Sequence, residues 1–386
     1  MKYYWGEKEF VIQIKKLNYI IEHETNIRRK AYLQKVADNI DALYHSSFNK
    51  FKSPNITAKQ RLSNILDSRL KQSRYYSIIN VFFDNIQLFL DRIDIISDII
   101  SSNYGDVDYL TSLTGTTITE EESISMTYEF YKAFDKELFS FFEIVYDDRF
   151  DTLRFISNDE EKKKSFGNTI FLDGVKKNFI SVVSIGGLSK YFSLVHEYGH
   201  AISNLINSER VYANNDDFFL EVAALFPECV AMYELYKNVG NIDAAFEQYT
   251  NLITFINYAN FLTLHSPILN LWSENNYVMS KKFFKELEEL YNIDEEVFGS
   301  ALEATLEEEG VYVLSYIVAI ELLNIYKKDK NKALELYKNF IRIPANEDTL
   351  PFILEIFEVN KNVKKETEEI VSNMELILKK WGFNYV

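Results

Sequence analysis

Residues 196–200 read His-Glu-Tyr-Gly-His, two histidines four positions apart with a glutamate directly after the first. On a helix, residues four apart stand one above the other on the same face, so His196 and His200 would aim two imidazoles at one point. A tetrahedral zinc ion accepts that arrangement. Glu197 lies one residue round the helix, placed to touch a water on the metal rather than the metal, as a general base would. The chain has five histidines, and two of them fall in this pentapeptide. The pairing is therefore no by-product of a histidine-rich composition.

A catalytic zinc takes three protein ligands and keeps a position for water. The residues after His200, Ala-Ile-Ser-Asn-Leu-Ile, contain no third histidine at the spacing H-x-x-G-x-x-H, which excludes a three-histidine extended motif. The natural alternative is a carboxylate from the next helix, expected over residues 217–236. Glu221 leads, because it is an acid among apolar neighbours in Phe-Leu-Glu-Val-Ala-Ala and needs a partner there. The alternative for Glu221 is an ordinary helix carboxylate. Glu228 stands two turns further along and could accept a hydrogen bond from a ligand histidine, or form a plain ion pair. Pro227 should kink this helix. Cys229 reads as a small buried hydrophobe, and His23, His45 and His265 as structural.

These side chains need elements to hold them. The motif helix is expected over residues 189–207, with Tyr191, Leu194, Val195, Tyr198, Ile202 and Leu205 on its apolar face. Ser193, His196, His200, Ser203 and Asn207 form the opposite stripe, facing a cleft. Just before it, Thr169–Leu172 and Phe179–Ile185 are rich in β-branched residues and bounded by Gly174 and Gly186-Gly187, the pattern of a small hairpin or sheet. The first 100 residues read as helices, with stripes such as Leu62, Ile65, Leu66, Leu70 and Ile78 through Leu90. A polar stretch at 101–117 breaks them, and 120–142 is helical again. A charged connection at 158–164 puts the lobe boundary near residue 150. We therefore expect a mainly α-helical protein: an N-terminal helical lobe over 1–150 and a catalytic lobe over 151–386, flanking an active-site cleft, with a small sheet beside the motif helix.

Composition narrows the class. Of the 386 residues 47% are hydrophobic, and Gly (12) and Pro (5) are scarce, which favours long uninterrupted helices around a large core. The formal net charge of −16 argues against nucleic acid and anionic membranes as partners. A single cysteine excludes an internal disulfide framework and suits a reducing compartment. The first residues have no apolar core of a secretory signal, and the apolar run 311–320 is too short to span a bilayer. The expected location is the cytoplasm.

His-Glu-Tyr-Gly-His-Ala at 196–201, Glu221-Val222-Ala223-Ala224 and then Glu228 resemble the oligoendopeptidase F and thimet oligopeptidase family of zinc metallopeptidases. That family reads H-E-x-G-H-[AS], then E-V-[AP]-S, then a further glutamate seven on. The lead-in Phe179 to Leu188, a strand and Gly-Gly turn, is also similar. The specific likeness covers about residues 168–235, with fainter similarity at 305–380. It implies one zinc per chain held by His196, His200 and Glu221, with Glu197 as general base and peptides as substrates. Gly310-Val-Tyr-Val-Leu-Ser-Tyr316 resembles the family's tyrosine-bearing element, which makes Tyr316 and Tyr312 the candidate oxyanion donors.

Two departures stand out. The family's oxyanion histidine would fall near Leu306, and family members are usually longer, so much of the lobe that roofs their channel is expected to be missing. An extended substrate is expected to add its backbone to the edge of the 179–185 strand at Ser184, with Gly186 and Gly187 allowing close approach. The leading expectation is a zinc endo- or oligopeptidase acting on short peptides. The rival is a zinc-stabilised, catalytically impaired peptide-binding protein, and a third reading is a helical scaffold with a fortuitous motif and no metal.

Overall fold

The computed structural model describes residues 7–25, 118–156, 166–172, 177–183, 187–207, 221–239, 280–294, 309–343 and 350–359, with single positions elsewhere. The fold is mainly helical with one small sheet. Its described residues fall into two compact units, one holding those up to residue 207 and the other those from 221 onward. The expected boundary at 150 falls within the first of them. The apolar stripes of residues 62–90 and the polar stretch at 101–117 lie outside the described residues, as do His45, His265 and Leu306.

The first unit begins with α1 (Glu7–His23). The next helices are α2 (Glu120–Phe134), α3 (Lys136–Asp147) and a single turn, α4 (Arg149–Thr152). The single helix expected over 120–142 is thus two. Asp135, extended at φ −155° and ψ 133°, ends α2 and caps α3 by accepting from the backbone N–H groups of Glu137 and Leu138 at 2.9 and 3.0 Å. An aspartate that satisfies the orphan donors of a new helix breaks an old one as surely as a glycine does. The start of α2 is closed by a capping box between Thr119 and Glu122.

Three strands follow: β1 (Leu153–Ile156), β2 (Phe166–Leu172) and β3 (Lys177–Val183), in the order β1-β3-β2. β2 and β3 form the expected antiparallel hairpin, with Gly167 opposite Val182 and Thr169 opposite Ile180. β1 joins it in parallel, Leu153 opposite Ile180 through Ile156 opposite Val183. β3 is therefore the central strand. Its backbone over 180–183 is engaged on both sides, so a peptide cannot add to it there. Among the described residues, the strands with an open edge are β1 and β2.

Against this sheet lies α5 (Ser189–Asn207), the helix that carries the motif. Its bounds are those the apolar spacing predicts. Ser203, expected on the polar stripe, is buried, and of the expected apolar face Leu205 is half-buried, whereas Tyr191, Leu194, Val195, Tyr198 and Ile202 are buried. They close a core with Tyr131, Phe134, Leu138 and Phe142 from α2 and α3 and with Ile180 and Val182 from β3. The Phe142 ring stands 4.8 Å from that of Tyr198 and 4.7 Å from that of Tyr131. Truncating a ring of this kind to alanine would cost about 3–5 kcal/mol.

The second unit holds α6 (Val222–Val239), α7 (Lys281–Tyr291), α8 (Glu309–Lys328), α9 (Lys330–Ile341) and α10 (Leu350–Val359). α8 packs against α6, α9 and α10. Val313, Ile317, Val318, Ala319, Leu322 and Leu323 are fully buried, which explains most of the long apolar run seen in the sequence as core. Among the described residues, no helix is long and apolar enough to cross a membrane.

Candidate active site

The first unit presents three of the candidate residues from one helix. His196 and His200 are each half-buried on the polar stripe of α5, with ring centroids 4.9 Å apart and planes inclined at 76°. Ser193, Asn204 and Asn207 share their partial exposure. Glu197, one position round, is 3% exposed.

Several polar contacts hold this helix in register with its neighbours. The Tyr131 hydroxyl donates to the Val195 carbonyl at 2.6 Å, one residue before the motif. Asn178 of β3 donates its amide to the Ala201 carbonyl at 3.1 Å, one residue after it, and accepts from Asn204 at 3.1 Å. The motif is bracketed on both sides by buried side chains from other elements. Gly187, at φ 65°, makes the turn into α5, a conformation that a residue with a Cβ rarely adopts. Ser184 and Gly186 lie outside the described residues.

Glu197 is gripped by β2. The Thr169 hydroxyl lies 2.6 Å from its Oε2 and 3.0 Å from its backbone oxygen. Gly167, two residues earlier and so on the same strand face, lies directly under the carboxylate: a Cβ there would stand 2.5 Å from both Cγ and Cδ of Glu197. Sequence reading began this strand at Thr169 and assigned no role to either residue. A glycine next to an alternating strand pattern was the available signal, since it marks close approach by another group.

In the second unit, Glu221 opens α6. Its carbonyl accepts the first helical hydrogen bonds, from Ala224 at 3.1 Å and Leu225 at 2.7 Å. A carboxylate at that end is favoured by the helix dipole. Residues 217–220, expected to be helical, lie outside the described residues. Glu228, half-buried on α6, accepts from the Asn251 amide at 3.1 Å. Cys229 is buried among apolar residues. Tyr312 and Tyr316 stand one turn apart on α8 in different surroundings: Tyr312 is 43% exposed, while Tyr316 is 4% exposed and packs against the Phe255 ring at 5.0 Å. His23, read as structural, lies 2.7 Å through Nδ1 from the Tyr19 carbonyl at the end of α1.

No family model matches the chain, and no curated protein matches it. Solved structures do. One from Chlamydophila abortus, provisionally described as a peptidase, is 13% identical with a TM-score of 0.45, over 95% of this chain and 64% of its own. One from Bacillus anthracis strain Ames, provisionally described as an oligoendopeptidase F, is 14% identical with a TM-score of 0.42, over 94% of this chain and 65% of its own. The structure of Pz peptidase A with an inhibitor is 12% identical with a TM-score of 0.45, over 93% of this chain and 70% of its own. The chain spans about two thirds of the length of these structures.

Proposed function

We propose that this chain is a zinc-dependent peptidase that hydrolyses peptide bonds in short peptides, with Glu197 as the general base. The observation that carries the reading is local to α5: two imidazoles half-buried on one helix face, with a carboxylate between them in sequence that is buried and held by a hydroxyl. Two imidazoles and a carboxylate make a donor set that could hold a metal ion, and Glu221 is the carboxylate assigned to that role. When bound, zinc would supply Lewis acidity toward the scissile carbonyl and lower the pKa of its water to about 7.

The chain's own residues do the rest. Glu197 takes a proton from the attacking water and returns it to the leaving amine. Its burial keeps it among few competing waters. Glu228 is assigned to hold a ligand histidine in its tautomer. Tyr312 and Tyr316 are assigned to the oxyanion, and Tyr312 already has its ring in solvent. Ser184, Gly186 and Gly187 are assigned to the substrate backbone. Because β3 is paired along both edges, the strand offered to an extended peptide is β2, with α5 packed beside it.

Cleavage of a mixed library of short peptides, read by mass spectrometry with Glu197→Gln protein alongside, tests this directly. Cleavage by the wild type alone is the expected result. No cleavage by either protein at stoichiometric zinc would overturn the peptidase reading.

A further inference from the structure

Glu197 leaves α5 on a side chain with three rotatable bonds, and a helix alone does not choose among its rotamers. Ordering such a side chain costs conformational entropy, so something outside the helix must hold the carboxylate. β2 does this at two positions. Gly167 and Thr169 share the strand face turned to α5, their register set by pairing with Val182 and Ile180. The Thr169 hydroxyl reaches Oε2 at 2.6 Å. At Gly167 the place a Cβ would take is already filled by Glu197, whose Oε1 crowds that point and whose Cγ and Cδ are 2.5 Å from it.

We propose that Gly167 and Thr169 form a seat for the Glu197 carboxylate and are positioning residues for the reaction. Both act on the reaction through Glu197. Thr169 draws the carboxylate toward the strand, and the bare backbone at Gly167 lets it come. The inference rests on the peptidase reading and adds to it a reason why this strand lies where it does. Any substituent at 167 would turn the carboxylate aside rather than unfold the strand, because what it meets is the movable end of a side chain and not backbone. A misplacement of about 1 Å in a catalytic group can cost on the order of 100-fold in rate.

The test compares Thr169→Val, Thr169→Ser and Gly167→Ala in the full chain. Zinc-loaded protein is assayed for kcat, KM and zinc content, and metal-free protein is unfolded in urea. Thr169→Val should lower kcat by roughly 10–100-fold with KM and zinc content unchanged, and Thr169→Ser should recover most of that loss. Gly167→Ala should fold like the wild type and lose kcat. In urea, Thr169→Val should shift the unfolding equilibrium by on the order of tenfold, and that shift should shrink in a Glu197→Ala background, where only the backbone oxygen of residue 197 is left to accept.

Equal shifts in both backgrounds, or kcat within twofold of wild type in both Thr169→Val and Gly167→Ala, would overturn the seat. Coupling in urea together with a wild type that cleaves no peptide would overturn the peptidase reading, and the positioning role with it.

Discussion

The Tyr337 hydroxyl donates to the Ala223 carbonyl at 2.6 Å. Pro227 lies four residues after Ala223 inside α6 and has no N–H to give it. A tyrosine from α9 thus supplies the donor that proline removes, and α6 runs on to Val239. Both groups are deeply buried, and burial pushes the Tyr337 hydroxyl far above the ordinary tyrosine range. Tyr337→Phe leaves the carbonyl without that donor and should cost about 1–3 kcal/mol, read as a lower urea midpoint at unchanged slope. In a Pro227→Ala background, where the helix can donate for itself, the same substitution should cost much less. Equal costs in the two backgrounds would show that the tyrosine is not substituting for the proline.

The role of Glu197 separates from that of the histidines by measurement. Glu197→Gln keeps the size of the side chain but removes the base, so turnover should fall by at least about 100-fold while zinc stays bound. A purified variant that still turns over at the wild-type rate would remove Glu197 from the mechanism. Gln at this position also keeps an oxygen to accept from Thr169, so the fold of β2 against α5 should be undisturbed.

What could be read from the sequence was what depends on neighbours along the chain. The bounds of α5 and the split between its apolar and polar faces follow from a 3.6-residue repeat, and β2 and β3 from β-branched runs between glycines. The break at Asp135 was missed because it comes from a side-chain cap, with no glycine or proline to announce it. β1 was missed because Leu-Arg-Phe-Ile is four residues long and gains its partner only in parallel with a strand that follows it by more than 20 residues. The pairing of Thr169 with Glu197 spans 28 positions, and no local pattern predicts it. For the same reason the strand placed beside the substrate was read as β3, when pairing on both sides closes it.

The assigned metal set makes its own prediction. Dialysed wild-type protein should retain one zinc per chain, and His196→Ala or His200→Ala should retain none under the same conditions. Glu221→Ala should weaken zinc binding while leaving α6 folded, because its carbonyl, not its carboxylate, starts that helix. Glu228→Gln should weaken zinc binding by about 10–100-fold if it supports a ligand histidine. An unchanged affinity would remove Glu228 from the metal site, whatever its hydrogen bond from Asn251 contributes to the fold.

An ion pair between α2 and α5 adds a pH dependence to stability. Lys190 of the motif helix donates to Glu120 at 3.1 Å, with 38% of the glutamate side chain still exposed. Burial pushes the Glu120 carboxyl up, but its own backbone N–H and then Lys190 outweigh this and hold it below its ordinary value of 4.5. A carboxyl lowered on folding contributes stability that is fully present above the unfolded value and is lost as pH falls through the folded one. The contribution should therefore be present at neutral pH and disappear below pH 4.5. Solvent screens the pair, so the amount is small, on the order of 0.2–1 kcal/mol. Glu120→Gln should lower the urea midpoint slightly at pH 7, less so at high salt, and should leave it equal to that of the wild type at a pH below the folded carboxyl's titration. A difference that persists under those acid conditions would mean that the carboxyl acts through packing rather than charge.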